Sequence, residues 1–458
     1  MSLRSWPTVA VLVTALALLA CGGRAAPPAA AGQGDAESAG ARHSQDGAQP
    51  APPAPAGEQP SPLAPLLPAA PATPPDEPAP ARIRTAPHLV SQSLSVPAAF
   101  RRAPFNQDRQ VQIQDGFAIS VYALVGGARS MTVAPWGELL VTQPGQGRIV
   151  ALRDEDGDGT AERSRALAEG LQCPYGMAVR DGYLYVAQST KVERFADNGG
   201  AGLGPAELVV GGLPASGCGP HHYRPLAFDW AGYFYVAFGS SCNVCIEGDP
   251  RRGTVWQYAL DGNGREFARG LRNVVDLEIH PATGELWGAT NERDYLGDDV
   301  PPDPVAPIAE GADYGWPYCY WNGGSWVVDT RVPQHNPSCS GLTPYNGVQA
   351  HTAPLGIAFY SGAQFPADYW GSAFVGLHGS WNRSVATGYK VMRIPTVDGA
   401  PLPAEEFVAG WLTGTRGSGG DAWGRPVDVQ VGPDGSLFVS DDQAGAIYRI
   451  TYNGTSQS

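Results

Sequence analysis

The sequence predicts an all-β fold, a six-bladed β-propeller with long loops between its blades, and three features of the chain point there. Beyond about residue 90, glycines and short apolar runs dominate and almost no stretch carries helical periodicity, so strands joined by tight turns are expected. One pattern, a glycine turn followed by an alternating strand, returns six times: Gly137-Glu-Leu-Leu-Val-Thr, Gly182-Tyr-Leu-Tyr-Val-Ala, Gly232-Tyr-Phe-Tyr-Val-Ala, Gly284-Glu-Leu-Trp-Gly-Ala, Gly371-Ser-Ala-Phe-Val-Gly and Gly435-Ser-Leu-Phe-Val-Ser. Successive glycines are separated by 45, 50, 52, 87 and 64 residues. The three shorter intervals match a four-stranded blade, and the two longer ones require blades with loop insertions. A β-sandwich seldom repeats one motif so often, and a solenoid would repeat at a shorter period. The longest insertion, Asn291 to about Pro354, holds Asp294, Asp298, Asp299, Asp303 and the aromatic run Tyr314-Gly-Trp-Pro-Tyr-Cys-Tyr-Trp321. No buried blade strand requires these residues, whereas a functional loop over one face would use them.

Composition divides the 458-residue chain into three parts. Residues 1–21 read as an export signal: Arg4 supplies the positive start, and Val9 to Leu19 is an apolar run too short to span a bilayer comfortably. Leu18-Leu19-Ala20-Cys21 resembles a bacterial lipobox, in which the cysteine is acylated. An ordinary signal peptide cut nearby is the competing reading, because Leu19 is not the usual small residue. Residues 22–90, dominated by Ala, Pro and Gly, form a disordered tether that buries too little apolar surface to offset its ordering entropy. Residues 91–458 hold the propeller. The expected location is outside the cytoplasm, lipid-anchored to the bacterial cell envelope, with the membrane touched through the acyl chains alone.

The formal net charge of -14 argues against a nucleic-acid partner, since phosphate recognition needs concentrated Lys and Arg. Six cysteines follow Cys21, an even number suited to disulfides in an oxidising compartment. Cys242 with Cys245 and Cys319 with Cys339 are the preferred local pairs. A zinc site would need a second CxxC, and covalent haem a CxxCH.

Four groups of residues could carry chemistry. Asp154, Asp156 and Asp158, in Asp154-Glu-Asp-Gly-Asp-Gly-Thr-Ala-Glu162, alternate as in half of a calcium loop, although the same string also makes an acidic hairpin turn. His221, His222 and Arg224 stand at the entry of the third repeat, where a histidine could take the hydroxyl proton of an alcohol, or could simply hydrogen-bond a loop. Arg272 and Asn273 precede Asn291-Glu-Arg-Asp294, a combination of guanidinium, amide and carbonyls suited to an anion with a hard cation. Arg383, in His378-Gly-Ser-Trp-Asn-Arg383, and Arg425, in Trp423-Gly-Arg425, occupy corresponding places in other repeats. Convergence of Arg272, Arg383 and Arg425 at one channel mouth would make a cationic pocket in an acidic protein.

Over about residues 108–452 the chain resembles the soluble pyrroloquinoline quinone (PQQ)-dependent glucose, aldose-sugar and sorbosone dehydrogenases. The stretches that carry the likeness are His221-His-Tyr-Arg-Pro-Leu-Ala-Phe228, Leu271-Arg-Asn273, Tyr314-Gly-Trp-Pro317, Ala353-Pro-Leu-Gly356 and His378-Gly-Ser-Trp-Asn-Arg383. The sorbosone-type branch is nearest. The resemblance implies PQQ and Ca2+ as cofactors, a small sugar or related alcohol or aldehyde as substrate, and an external electron acceptor. It implies His221 as catalytic base, with Arg272, Asn273, Arg383, Arg425 and Asn291 on the quinone. It places calcium on Asn291 and the backbone carbonyls of Glu292 and Arg293. On the substrate side it places Gln143, His222, Arg224, Tyr314 and Trp316, the aromatic pair also serving as cover for the planar ring. Three departures stand out: Val427 replaces a second quinone-binding arginine, Ser240 replaces an aspartate that orients the histidine, and Pro220 replaces a polar residue. A non-enzymatic ligand-binding propeller lipoprotein and a calcium-dependent lactonase are the alternatives, neither of which requires PQQ.

Overall fold

The computed structural model describes residues 88–214, 217–219, 221–332, 338–415 and 421–454. Cys21, the export signal, nearly all of the tether and Pro220 lie outside them. Among the described residues six sheets form the blades of a propeller. Their first strands, Met131–Val133, Met177–Arg180, Leu226–Phe228, Val274–Ile279, Pro354–Phe359 and Pro426–Val431, touch one another in a closed ring around a channel. Each motif glycine makes the turn into the second strand of a blade. All six sit at φ between 74° and 95°, a left-handed conformation open to glycine at little steric cost.

Two features go beyond the repeat. The strand Phe117–Leu124 pairs antiparallel with Ala446–Tyr452, so an early segment supplies the outermost strand of the last blade and closes the ring. Leu89–Ser93 and Gln110–Gln114 add to Glu405–Ala409, which makes the fifth blade six-stranded. The insertion after Asn291 is also more structural than its composition suggests. Asp303–Pro307 and Gly347–Val348 are the outer strands of the fourth blade, and between them a hairpin, Cys319–Trp321 with Trp326–Val328, carries one end of the Cys319–Cys339 disulfide. Cys242–Cys245 and Cys173–Cys218 complete the disulfides seen.

The channel is blocked by apolar side chains. Tyr175, Val275, Leu355 and Val427 pack together, with Tyr223 stacked on Tyr175 at a ring separation of 4.6 Å. Val427 is fully buried in this plug, which explains an aliphatic side chain at a position where an arginine was the alternative. Inner-strand residues just before the plug face one cavity; those after it, Asp276, Glu278 and Asp428, face another of about 490 Å³. Burial raises the Asp276 carboxyl to about 7, and burial, then the Asp276 charge, raises Glu278 to about 8. A carboxyl raised in the fold contributes stability that is fully present below its unfolded value and is lost as pH climbs through the folded one. Glu278→Gln removes that loss, so its melting temperature relative to the parent rises from pH 5 to pH 8.5 in a thermal-unfolding series. A difference that does not change over this range contradicts the raised carboxyl.

Candidate active site

The second cavity, about 810 Å³, opens on the other side of the plug. It gathers His221, His222, Arg272, Asn273, Asn291 and Arg425 of the expected set. His221 lies in the loop before the third blade, at φ 67°. Its Nδ1 is 3.0 Å from both the carbonyl oxygen and the Oγ of Ser240. The Ser240 hydroxyl proton is committed to Cys242 O at 2.7 Å, and a carbonyl can only accept, so Nδ1 carries the proton and Nε2 keeps its lone pair. Burial, then the charge of Arg272, lowers the imidazole to about 4, so it is neutral at physiological pH. Gly239 is required behind it, since a Cβ there would meet Asn273 Oδ1 at 2.3 Å and the His221 carbonyl at 2.8 Å.

Arg272 is held on three sides. Its Nη2 pairs with Asp294 at 2.8 Å, its Nη1 donates to Glu292 O at 2.8 Å, and its Nε donates to Asn243 O at 3.1 Å. Arg425 donates to His378 O and Gly379 O, both at 2.8 Å, and lies over the Tyr389 ring. A third guanidinium, Arg129, takes the place that Arg383 was expected to fill. It pairs with Asp442 at 2.7 Å, covers the face of Tyr223, and shares Asp442 with His378 Nε2 at 2.9 Å. The sequence offered a signal for Arg129: an arginine stands one or two residues before the first strand in the first, third, fourth and sixth blades, as Arg129, Arg224, Arg272 and Arg425.

Several expected residues lie elsewhere, each for a physical reason. Arg383 is held away from the cavity lining by Asp299 and the carbonyls of Asp298 and Ala350, its side chain only 8% exposed. Arg224 is fully buried behind the loop, where it donates to the carbonyls of Pro214, His221 and Tyr223 and so holds the loop rather than the ligand. Gln143 is consumed by Gly126 O and Arg148, each at 2.6 Å. Tyr314 is core, its hydroxyl bonded to Pro307 O. Trp316 props the Asn243 carbonyl from behind at 3.1 Å.

Of the expected calcium ligands, the Glu292 carbonyl already accepts from Arg272 Nη1, which also reaches the Asn291 main-chain carbonyl at 3.3 Å. The Asn291 amide nitrogen donates to Pro354 O, and the Arg293 side chain is buried in an ion pair with Asp329. A cation at Glu292 O would share that carbonyl with a guanidinium. Away from the cavity, oxygens of Asp154, Asp156, Asp158 and Glu162 lie within 4.8 Å of one another. They accept backbone N–H groups of their own loop, as in Gly157 N to Asp154 Oδ1 at 2.6 Å, which accounts for the turn as a turn.

Breaking the Arg272–Asp294 pair strands a buried charge. Asp294→Ala is therefore expected to cost about 3 kcal/mol in denaturant unfolding, and a cost under about 0.5 kcal/mol would show that the pair does not hold the wall.

The comparisons fit this architecture. A 35% identical stretch of 220 residues relates the chain to an uncharacterized protein of Borreliella burgdorferi, covering 47% of this chain and 56% of that one. The PQQ-dependent pyranose dehydrogenase of Coprinopsis cinerea is 24% identical over 410 residues, covering 74% of this chain and 54% of that protein. The chain thus spans about half the length of these curated relatives. Among solved structures, the iodide structure of the Trichoderma reesei Carbohydrate-Active Enzymes Family AA12 protein superposes with a TM-score of 0.65 at 19% identity, covering 74% of this chain and 97% of that one. The profile of the TrAA12-like family matches residues 111–453, and the chain belongs to that family.

Proposed function

We propose that the chain is a PQQ-dependent dehydrogenase that oxidises a sugar or related alcohol or aldehyde, of aldose or sorbosone type, and passes electrons to an external acceptor. The observation that carries this reading is a neutral imidazole with a free Nε2 in the same cavity as three guanidinium groups. The names of the Coprinopsis relative and of an Escherichia coli aldose sugar dehydrogenase, 23% identical over 272 residues, support it.

The residues present suit the cofactor. Arg425 Nη1 makes no bond to a described residue, so a cationic donor with unspent capacity lines a cavity of about 810 Å³ that Arg129 and Arg272 also line. Arg272, Arg129 and Arg425 would hold its carboxylates. PQQ, when bound, supplies the acceptor for a hydride. His221 Nε2 takes the hydroxyl proton of the substrate, while Ser240 fixes the ring and its tautomer in place of a carboxylate. The apolar plug behind the site keeps bulk water from the channel side. Calcium, the second cofactor of this reading, would be held by Asn291 and the Glu292 and Arg293 carbonyls, the Glu292 carbonyl shared with Arg272, and would supply Lewis-acid polarisation there. Export and attachment through Cys21 complete the proposal and place the electron acceptor outside the cytoplasm.

Titration of PQQ into the apo-protein is expected to shift the quinone absorbance, and the loaded protein to reduce a dye with some member of a panel of aldoses, sorbosone and polyols. Failure of both overturns the reading. His221→Ala should lower turnover about a thousandfold with PQQ still bound. The proton-accepting form of His221 predominates above its lowered value, so the acid limb of kcat/KM should fall near pH 4 and not near 6.5.

A further inference from the structure

Two large aromatic side chains stand in solvent at the mouth of the active-site cavity, and nothing in the fold needs them there. Trp381 is 47% exposed and lines the cavity; Tyr295 is 57% exposed and meets it edge-on, the ring centroids 5.5 Å apart at 88°. Tyr295 also holds φ at 68°, a costly backbone conformation for an aromatic residue that gains no burial in return.

The two rings come from different blades, and the loops that bear them are fastened together. Asn382 Nδ2 donates to Asp294 Oδ1 at 3.0 Å, Arg383 pairs with Asp299, and Ser384 N donates to Asp298 at 3.0 Å. Asp294 in turn grips Arg272, so the rim is rigidly coupled to the wall of the site. An exposed indole at the edge of a polar cavity suits a ligand with one apolar C–H face and a rim of hydroxyls.

We propose that Trp381, braced by Tyr295, is a stacking platform for the pyranose ring of the substrate. This rests on the dehydrogenase reading and names what that site selects: cyclic sugars over short open-chain polyols. A planar cofactor is not the occupant, because the guanidiniums that would hold it are buried, the Arg272 side chain being only 6% exposed, while Trp381 stands half in solvent.

The test compares the parent, Trp381→Ala and Trp381→Phe as full-length proteins. Dissociation constants for a pyranose and for glycerol are measured by calorimetric titration, alongside PQQ affinity and steady-state kinetics. The platform predicts that Trp381→Ala weakens pyranose binding and raises its KM about tenfold, with kcat and the glycerol constants changing less than threefold, and that Trp381→Phe recovers most of the loss. Pyranose affinity within twofold of the parent overturns the platform, as does a loss of PQQ affinity with pyranose binding kept, which would make Trp381 a cofactor cover. The two readings fail separately. A parent that binds no PQQ yet loses pyranose binding on Trp381→Ala sinks the dehydrogenase and keeps the platform, while a parent that oxidises pyranoses indifferently to Trp381 does the reverse.

Discussion

Burial of positive charge at one end of the channel is the constraint around which this propeller is organised. A guanidinium removed from water without compensation costs several kcal/mol, so each arginine at the mouth must find oxygen partners nearby. Arg272 finds Asp294 and three main-chain carbonyls, Arg129 finds Asp442, and Arg425 finds the carbonyls of His378 and Gly379 and the Tyr389 ring. Some of those partners come from the next loop of the same blade, as Asp294 does for Arg272, and others from the blade before, as Asn243, Asp442, His378 and Gly379 do. The same bonds that offset buried charge therefore set the loops that form the cavity wall.

The histidine depends on this arrangement. His221 is placed by a buried arginine behind its loop and by Ser240 at its Nδ1, and Ser240 N is itself bonded to Arg272 O at 2.8 Å. Cationic wall and imidazole are thus parts of one network, and the proximity of Arg272 helps keep the ring neutral. A serine in the place of a carboxylate gives the ring its orientation without a charge to stabilise an imidazolium. Val427 serves as a stopper in the channel, and Arg129 from another blade supplies a guanidinium to the cavity above it.

The channel divides by chemistry as well as by shape. One side of the plug carries guanidiniums and imidazoles with the carboxyls of Glu292, Asp294, Asp303 and Asp442 among them; the other carries Asp276, Glu278 and Asp428, whose burial favours their protonated forms. Four apolar side chains separate the two groups.

The sequence by itself determined the propeller, because a turn that requires positive φ must show a glycine and a half-buried strand must alternate; both constraints act on single residues and survive in the linear pattern. His221, Arg272 and Arg425 stood out at the entries to inner strands, but it was the family resemblance that gave them roles. Only the tertiary structure decided which way the remaining side chains point. Arg383, between the second and third strands of the fifth blade, and Arg129, just before the inner strand of the first, are both loop arginines, and what draws one away from the cavity and the other to it is the position of Asp299 and of Asp442, far away in the chain. Tyr314 looks like an exposed loop aromatic until Asp303–Pro307 is seen to be a blade strand and buries it. Orientation depends on partners supplied by other blades, and a linear pattern holds no record of them.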